Sequence, residues 1–232
     1  MLKRIKNRIY PIYMIKCAMF DLDGTLVNTI DDLARAADYT IKEFGFNRDW
    51  SREEYTSFVG NGAKLLLKRA FDNTASDEML DSALEVFKKK YEIILLDNAY
   101  AYDNVKTSLD YIKNKGIKLA VVTNKPSVAA TKMVETVFGK DYFDVIVGAT
   151  EDTPKKPDPY MPNKALRALG VRGEETVYFG DSDVDVKTAR SVNAYAVACS
   201  WGFRSIESLE KAKPDSLISN PSEIQIFFEK NC

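Results

Sequence analysis

Two alternating hydrophobic periods constrain this fold more than any other feature. Four short runs, Ile117–Thr123 (IKLAVVT), Asp144–Ala149 (DVIVGA), Thr176–Asp181 (TVYFGD) and Ala194–Cys199 (AYAVAC), are apolar at consecutive positions and rich in β-branched or aromatic residues. Runs of this length and pattern fit strands buried on both faces. Between them lie segments of helical period. One places Val105, Leu109 and Ile112 on a single stripe and ends at Gly116. A second does the same with Ala130, Met133, Val134 and Val137 and ends at Gly139, and "NKALRALG" ends at Gly170. Each glycine is suited to closing a helix. Strand–helix alternation of this kind predicts an α/β fold built on a parallel sheet with helices on its faces. An earlier apolar run, "MIKCAMF" from Met14, supplies a first strand.

Residues 29–100 break the alternation. "TIDDLARAADYTIKEFG" opens with Thr29 and Asp32 in capping-box spacing and puts Leu33, Ala37, Ile41 and Phe44 on one face. "SREEYTSF" repeats the capping signal with Ser51 and Glu54, and two more helical segments follow. The expected organisation is therefore a core of 1–28 and 101–232, with a helical module at 29–100 inserted into it. Residues 1–13, which are basic with scattered apolar positions, read as an N-terminal extension and not as a signal peptide.

Composition narrows the function. Lys+Arg 33 against Asp+Glu 34 argues against non-specific binding to nucleic acid or an anionic membrane. No stretch approaches the roughly 18 apolar residues of a membrane span. Three scattered cysteines point to a reducing, cytoplasmic setting without a disulfide framework. Histidine is absent, so acid–base work falls to carboxylates, Lys, Tyr or Cys.

Ligands of open parallel sheets bind at the carboxyl ends of the strands. The first strand ends at Asp21 and Asp23. The run "IKLAVVT" ends at Thr123, followed by Asn124 and Lys125. "TVYFG" leads into Asp181 and Asp185, and Lys156 lies in the loop "KKPDP". Crowded carboxylates need a cation, and Mg²⁺ prefers oxygen ligands. The side chains of Asp21 and Asp181, with the backbone carbonyl of Asp23, are the expected ligands. Lys156 and the Thr123 hydroxyl are suited to a phosphate, and backbone N–H groups after Asp21 and Thr123 can complete the cradle. Any one of these stretches alone would read as a solvated turn, a helix cap or a loop. Their ordered arrival at successive strand ends is what points to a site.

"FDLDGTLVNT", "VVTN", "KPDP" and "GDSDVD" resemble the four motifs of the haloacid dehalogenase-like hydrolase superfamily, over about Ile15 to Phe203. The helical insertion, with "FVGNGAKLLLKRA", is similar to the α-helical cap of the phosphoglycolate phosphatase-like branch. The resemblance implies a Rossmann-like core and an Mg²⁺-dependent phosphatase acting on a small phosphorylated metabolite, as a monomer or homodimer. Asp21 would be the nucleophile that forms an aspartyl-phosphate, and Asp23 the general acid and base. Thr123, Asn124 and Lys156 would hold the phosphoryl group, and Asp181 the metal. Asp185 would support Lys156 or metal waters, with Asn61 and Lys64 as cap contacts to substrate. A carboxylate at Asp23 disfavours dehalogenases and phosphoryl-transfer ATPases. A beta-phosphoglucomutase-like mutase, a pyrophosphatase and, from a different class, a phospho-accepting signalling module are the competing readings.

Overall fold

A computed structural model of the protein describes residues 15–60 and 62–231. The expectations for residues 1–13 and for Asn61 lie outside the described residues. In chain order, the strands are β1 (Cys17–Phe20), β2 (Val27–Asn28), β3 (Tyr100–Ala101), β4 (Lys118–Pro126), β5 (Val145–Ala149), β6 (Thr176–Gly180), β7 (Tyr195–Cys199) and β8 (Ser216–Ile218). The helices are α1 (Ile30–Glu43), α2 (Arg52–Phe58), α3 (Ala63–Ala70), α4 (Asp77–Ile94), α5 (Val105–Asn114), α6 (Ser127–Phe138), α7 (Tyr160–Leu169), α8 (Asp183–Ser191), α9 (Ile206–Ala212) and α10 (Ser222–Asn231). None of these helices is long and apolar enough to cross a membrane.

Six strands form one sheet in the order β5-β4-β1-β6-β7-β8, and each neighbouring pair is parallel. Strand β1 sits in the middle with its four residues fully buried. Alternate side chains serve opposite faces. Cys17, Met19, Ala120, Val122 and Tyr178 pack with Met161, Ala165 and Leu166 of α7 and with Val186 and Ala189 of α8. On the other face, Phe20 stacks on Phe179 at 4.9 Å between ring centres, and Phe179 also meets Phe228 of α10. Gly116, Gly139 and Gly170 all have positive φ just beyond α5, α6 and α7.

The chain divides into two compact units, with Asn28–Tyr100 forming the second. That unit is helical. Leu33, Ala36, Ala37 and Ile41 of α1 are buried with Leu80, Ala83 and Phe87 of α4, and Phe44 meets Phe71 edge-on. The capping box at Ser51 forms: Glu54 N–H donates to Ser51 Oγ at 3.2 Å, and Ser51 N–H donates to Glu54 Oε2 at 2.7 Å.

The box expected at Thr29 does not form, because a tertiary partner claims its acid. The buried Asp32 carboxylate accepts from the Asn98 backbone N–H and from its side-chain amide at 2.8 Å. Asn28 Oδ1 accepts the Ile30 N–H instead, and Thr29 Oγ1 is buried without a partner among the described residues.

Candidate active site

Register assembles the site. Phe20 pairs with Val121 on one side and with Phe179 on the other. The residues that follow these positions therefore emerge together at one edge of the sheet. Asp21 extends the pairing by one step, its N–H donating to the Phe179 carbonyl at 2.9 Å. Beyond Asp21 the chain folds back at once: Thr25, Leu26 and Val27 all donate to the Leu22 carbonyl. Gly24 turns this loop at φ 82°, where an added Cβ would strike the Asp181 carboxyl group.

Strand β4 is irregular at the same edge. Val122 pairs with Val147 and Pro126 with Ala149, so four steps on β4 oppose two on β5. A bulge of this kind re-aims side chains, and here it carries Thr123, Asn124 and Lys125. Thr123 and Lys125 are buried, and the Lys125 N–H donates to Thr123 Oγ1 at 3.2 Å. That bond uses the hydroxyl as an acceptor and leaves its proton to be donated.

Four carboxylates and two ammonium groups meet here. Lys156 Nζ lies 2.8 Å from Asp21 Oδ1 and 2.7 Å from Asp185 Oδ1, and donates to the Tyr178 hydroxyl at 3.3 Å. The Tyr178 hydroxyl in turn donates to the Val122 carbonyl. Asp185 Oδ2 accepts from both the N–H and the hydroxyl of Ser182, which also starts α8. Asp181 accepts from Thr25 Oγ1 at 3.0 Å and from the Phe203 N–H at 2.8 Å. Asn124 braces the lysine loop: its Oδ1 accepts the Lys156 N–H at 2.8 Å, and its Nδ2 donates to the Lys156 carbonyl at 3.4 Å. The Asn124 side chain is thus engaged with Lys156, and its backbone N–H is the group suited to a phosphate. Asp23 points elsewhere, onto Lys125, whose Nζ donates to its two oxygens at 2.9 and 3.2 Å.

The electrostatics follow from this crowding. Burial and the neighbouring Asp185 and Asp21 push the Asp181 carboxyl up to about 8. Burial raises Asp21 to about 6 against the opposing pull of Lys156. Lys156 is held well above its ordinary value: burial opposes its charge, but Asp185 and Asp21 outweigh burial. Oxygen atoms of Asp21, Asp181 and Asp185 lie within 4.8 Å of one another. An all-carboxylate donor set fits a hard cation such as Mg²⁺. When ionised, the four carboxylates exceed the two ammonium groups by two negative charges, the charge of one such ion.

In the helical unit, Lys64 forms an ion pair with Asp81, both half-exposed. Arg69 donates to the Phe58 carbonyl at 2.7 Å. Trp201 Nε1 donates to the Thr25 carbonyl, and the Phe203 ring is buried, so both pack under the rim. Thr25, the Phe203 N–H, the Lys125–Asp23 pair and Gly202, where an added Cβ would strike Asp181, escaped sequence reasoning. Only Lys125 left a trace there, as the residue two beyond Thr123.

A parallel sheet with an acid-and-lysine rim at its strand ends is suited to holding a cation beside a phosphate. Residues 18–199 match the family model for haloacid dehalogenase-like hydrolases, and the chain belongs to that family. Among curated relatives, the phosphoglycolate phosphatase of Aquifex aeolicus is 31% identical over 210 residues, covering 90% of this chain and 95% of its own. That of Vibrio cholerae is 33% identical over 207 residues, covering 87% and 91%. A Lactobacillus delbrueckii crystal structure carrying a provisional phosphoglycolate phosphatase name superposes with a TM-score of 0.86 at 29% identity, covering 91% of this chain and 97% of its own.

Proposed function

We propose that the protein is an Mg²⁺-dependent phosphatase that hydrolyses a small phosphomonoester, with phosphoglycolate the favoured substrate, through an aspartyl-phosphate on Asp21. The observation that carries this reading is the division of the D-x-D pair. Asp21 sits with Lys156, Asp181 and Asp185, while Asp23 is held apart on a different lysine. The relatives named phosphoglycolate phosphatase support the choice of substrate.

In the first step a carboxylate oxygen of Asp21 attacks phosphorus, and the bond from phosphorus to the substrate oxygen breaks. Asp23 gives its proton to the departing alkoxide. In the second step Asp23 takes a proton from water, whose oxygen attacks phosphorus. The acyl-phosphate bond breaks, releasing phosphate and restoring both side chains. Lys156, the Thr123 hydroxyl and the Asn124 N–H are suited to the transferring oxygens and supply preorganised charge. Asp185 and Asn124 keep Lys156 in place from behind and from its own backbone. Asp21, Asp181 and the Asp23 carbonyl would hold Mg²⁺, which when bound would neutralise phosphate charge and bring two anions together.

A panel of phosphoesters assayed with Mg²⁺ and with EDTA tests the reading. The expected result is that 2-phosphoglycolate shows the highest kcat/KM, that EDTA abolishes turnover, and that Asp21→Asn is inactive while folded. Near wild-type activity in Asp21→Asn would remove the nucleophile. Isomerisation of a sugar phosphate, or a preference for pyrophosphate, would select the competing mutase or pyrophosphatase readings.

A further inference from the structure

We propose that Lys125 is the positioning residue for Asp23, holding the carboxylate that handles the proton apart from the nucleophile Asp21. The inference rests on the phosphatase reading above. Each member of the D-x-D pair has a lysine of its own. Lys156 lies on Asp21 and Asp185, and Lys125 donates to both oxygens of Asp23. The Lys125 side chain is 2% exposed, against 46% to 74% for the lysines of the helical i,i+3 and i,i+4 pairs, so its charge is desolvated and its geometry fixed. Desolvated, doubly bonded pairs are the ones with energetic weight, whereas exposed pairs contribute little.

The backbone under Lys125 is equally constrained. It lies in the β4 bulge, with its N–H on Thr123 Oγ1. Gly148 of β5 comes so close that an added Cβ would stand 2.9 Å from the Lys125 carbonyl and 2.6 Å from Ser127 Cα. The bulge therefore delivers two things to one edge: the Thr123 hydroxyl, and an ammonium group that reaches across to Asp23 in the loop after β1. Without that ammonium, Asp23 would be a second anion beside Asp21 with nothing described to hold it. It would be free to compete for Lys156 or for the cation.

Leaving-group dependence separates positioning from simple phosphate binding. A nitrophenolate leaves without a proton, and an alkoxide does not. Lys125→Met should lower kcat/KM for 2-phosphoglycolate on the order of 10- to 100-fold. For p-nitrophenyl phosphate the loss should stay within about threefold, since proton transfer to the leaving group is not required there. Lys125→Arg should restore most of the lost selectivity. In an Asp23→Asn background, Lys125→Met should add less than about a twofold further loss, as for residues that act as a unit. Should Lys125→Met fail to fold, Lys125→Leu, which likewise removes the donor, is read in the same way. Equal losses on both substrates, or the same added loss with and without Asp23, would overturn the positioning role. Wild-type enzyme without Mg²⁺-dependent turnover of any phosphoester would instead overturn the phosphatase reading and this inference with it.

Discussion

Asp181 shows how far a site residue depends on atoms that carry no side-chain chemistry. Its carboxyl lies between Gly24 and Gly202, where a Cβ added to either glycine would collide with it, and the Phe203 N–H holds one oxygen. The second glycine needs no unusual φ; it is there because nothing larger fits. Gly202→Ala would push against Asp181 and the Gly24 carbonyl at once, and overpacking of this kind costs about 1–3 kcal/mol. The expected outcome is a lower Tm together with a rise in the Mg²⁺ concentration giving half-maximal activity. A variant that loses stability but keeps its Mg²⁺ dependence would mean that Asp181 moves aside without losing its function. Asp21, Asp23, Lys156 and Asp181 were visible in the sequence because each follows an apolar run or lies in a distinctive loop. Gly202 and the Phe203 N–H were not. A backbone donor leaves no residue type to read, and Gly202 owes its identity to a carboxyl 21 positions earlier.

At the scale of elements, hydrophobic period located strands β1 and β4 to β7 and helices α5 to α7, including the glycines that end those helices. It failed where tertiary partners decide. Asp32 sits at a capping position but is taken by Asn98, a residue 66 positions away, which no local pattern encodes. The bulge in β4 was likewise invisible, since "VVTNKP" has the composition of a strand running into a turn. The final strand β8 has only three residues, one of them fully buried, too few to show a period. Where period and packing agree, the energetic consequence is direct. Phe179 of β6 is fully buried, stacked on Phe20 and in contact with Phe227 and Phe228. Phe179→Ala should cost about 3–5 kcal/mol and lower the denaturant midpoint without changing the slope m. A loss below about 1 kcal/mol would show that α10 closes the gap and that the stack contributes little.

For the whole molecule, the buried carboxylate cluster is a burden on the fold that a bound cation would relieve. Buried carboxyls raised to about 6 at Asp21 and about 8 at Asp181 bind more protons in the folded state than in the unfolded chain. Across that interval stability falls as pH rises, because the unfolded state binds fewer protons. The metal-free protein is therefore expected to lose stability from about pH 4, where both groups ionise in the unfolded chain, up to about pH 8. A divalent cation competes with those protons for the same oxygens, so its affinity should climb over the same range. The stabilisation by Mg²⁺ should accordingly be small near pH 5 and largest near pH 8, about 2.7 kcal/mol where the ion stands at 100 times its Kd. Thermal unfolding with 10-fold steps of MgCl₂ or with EDTA, at each half unit of pH, measures this directly. Asp181→Asn removes one of the two raised carboxyls and one ligand. It should therefore flatten the pH dependence of the metal-free protein and reduce the Mg²⁺ increment together. If the variant flattened the first and left the second intact, the cation would be held elsewhere than at Asp181. If an increment were present in wild type but independent of pH, it would arise from screening of surface charge and not from occupation of the carboxylate cluster.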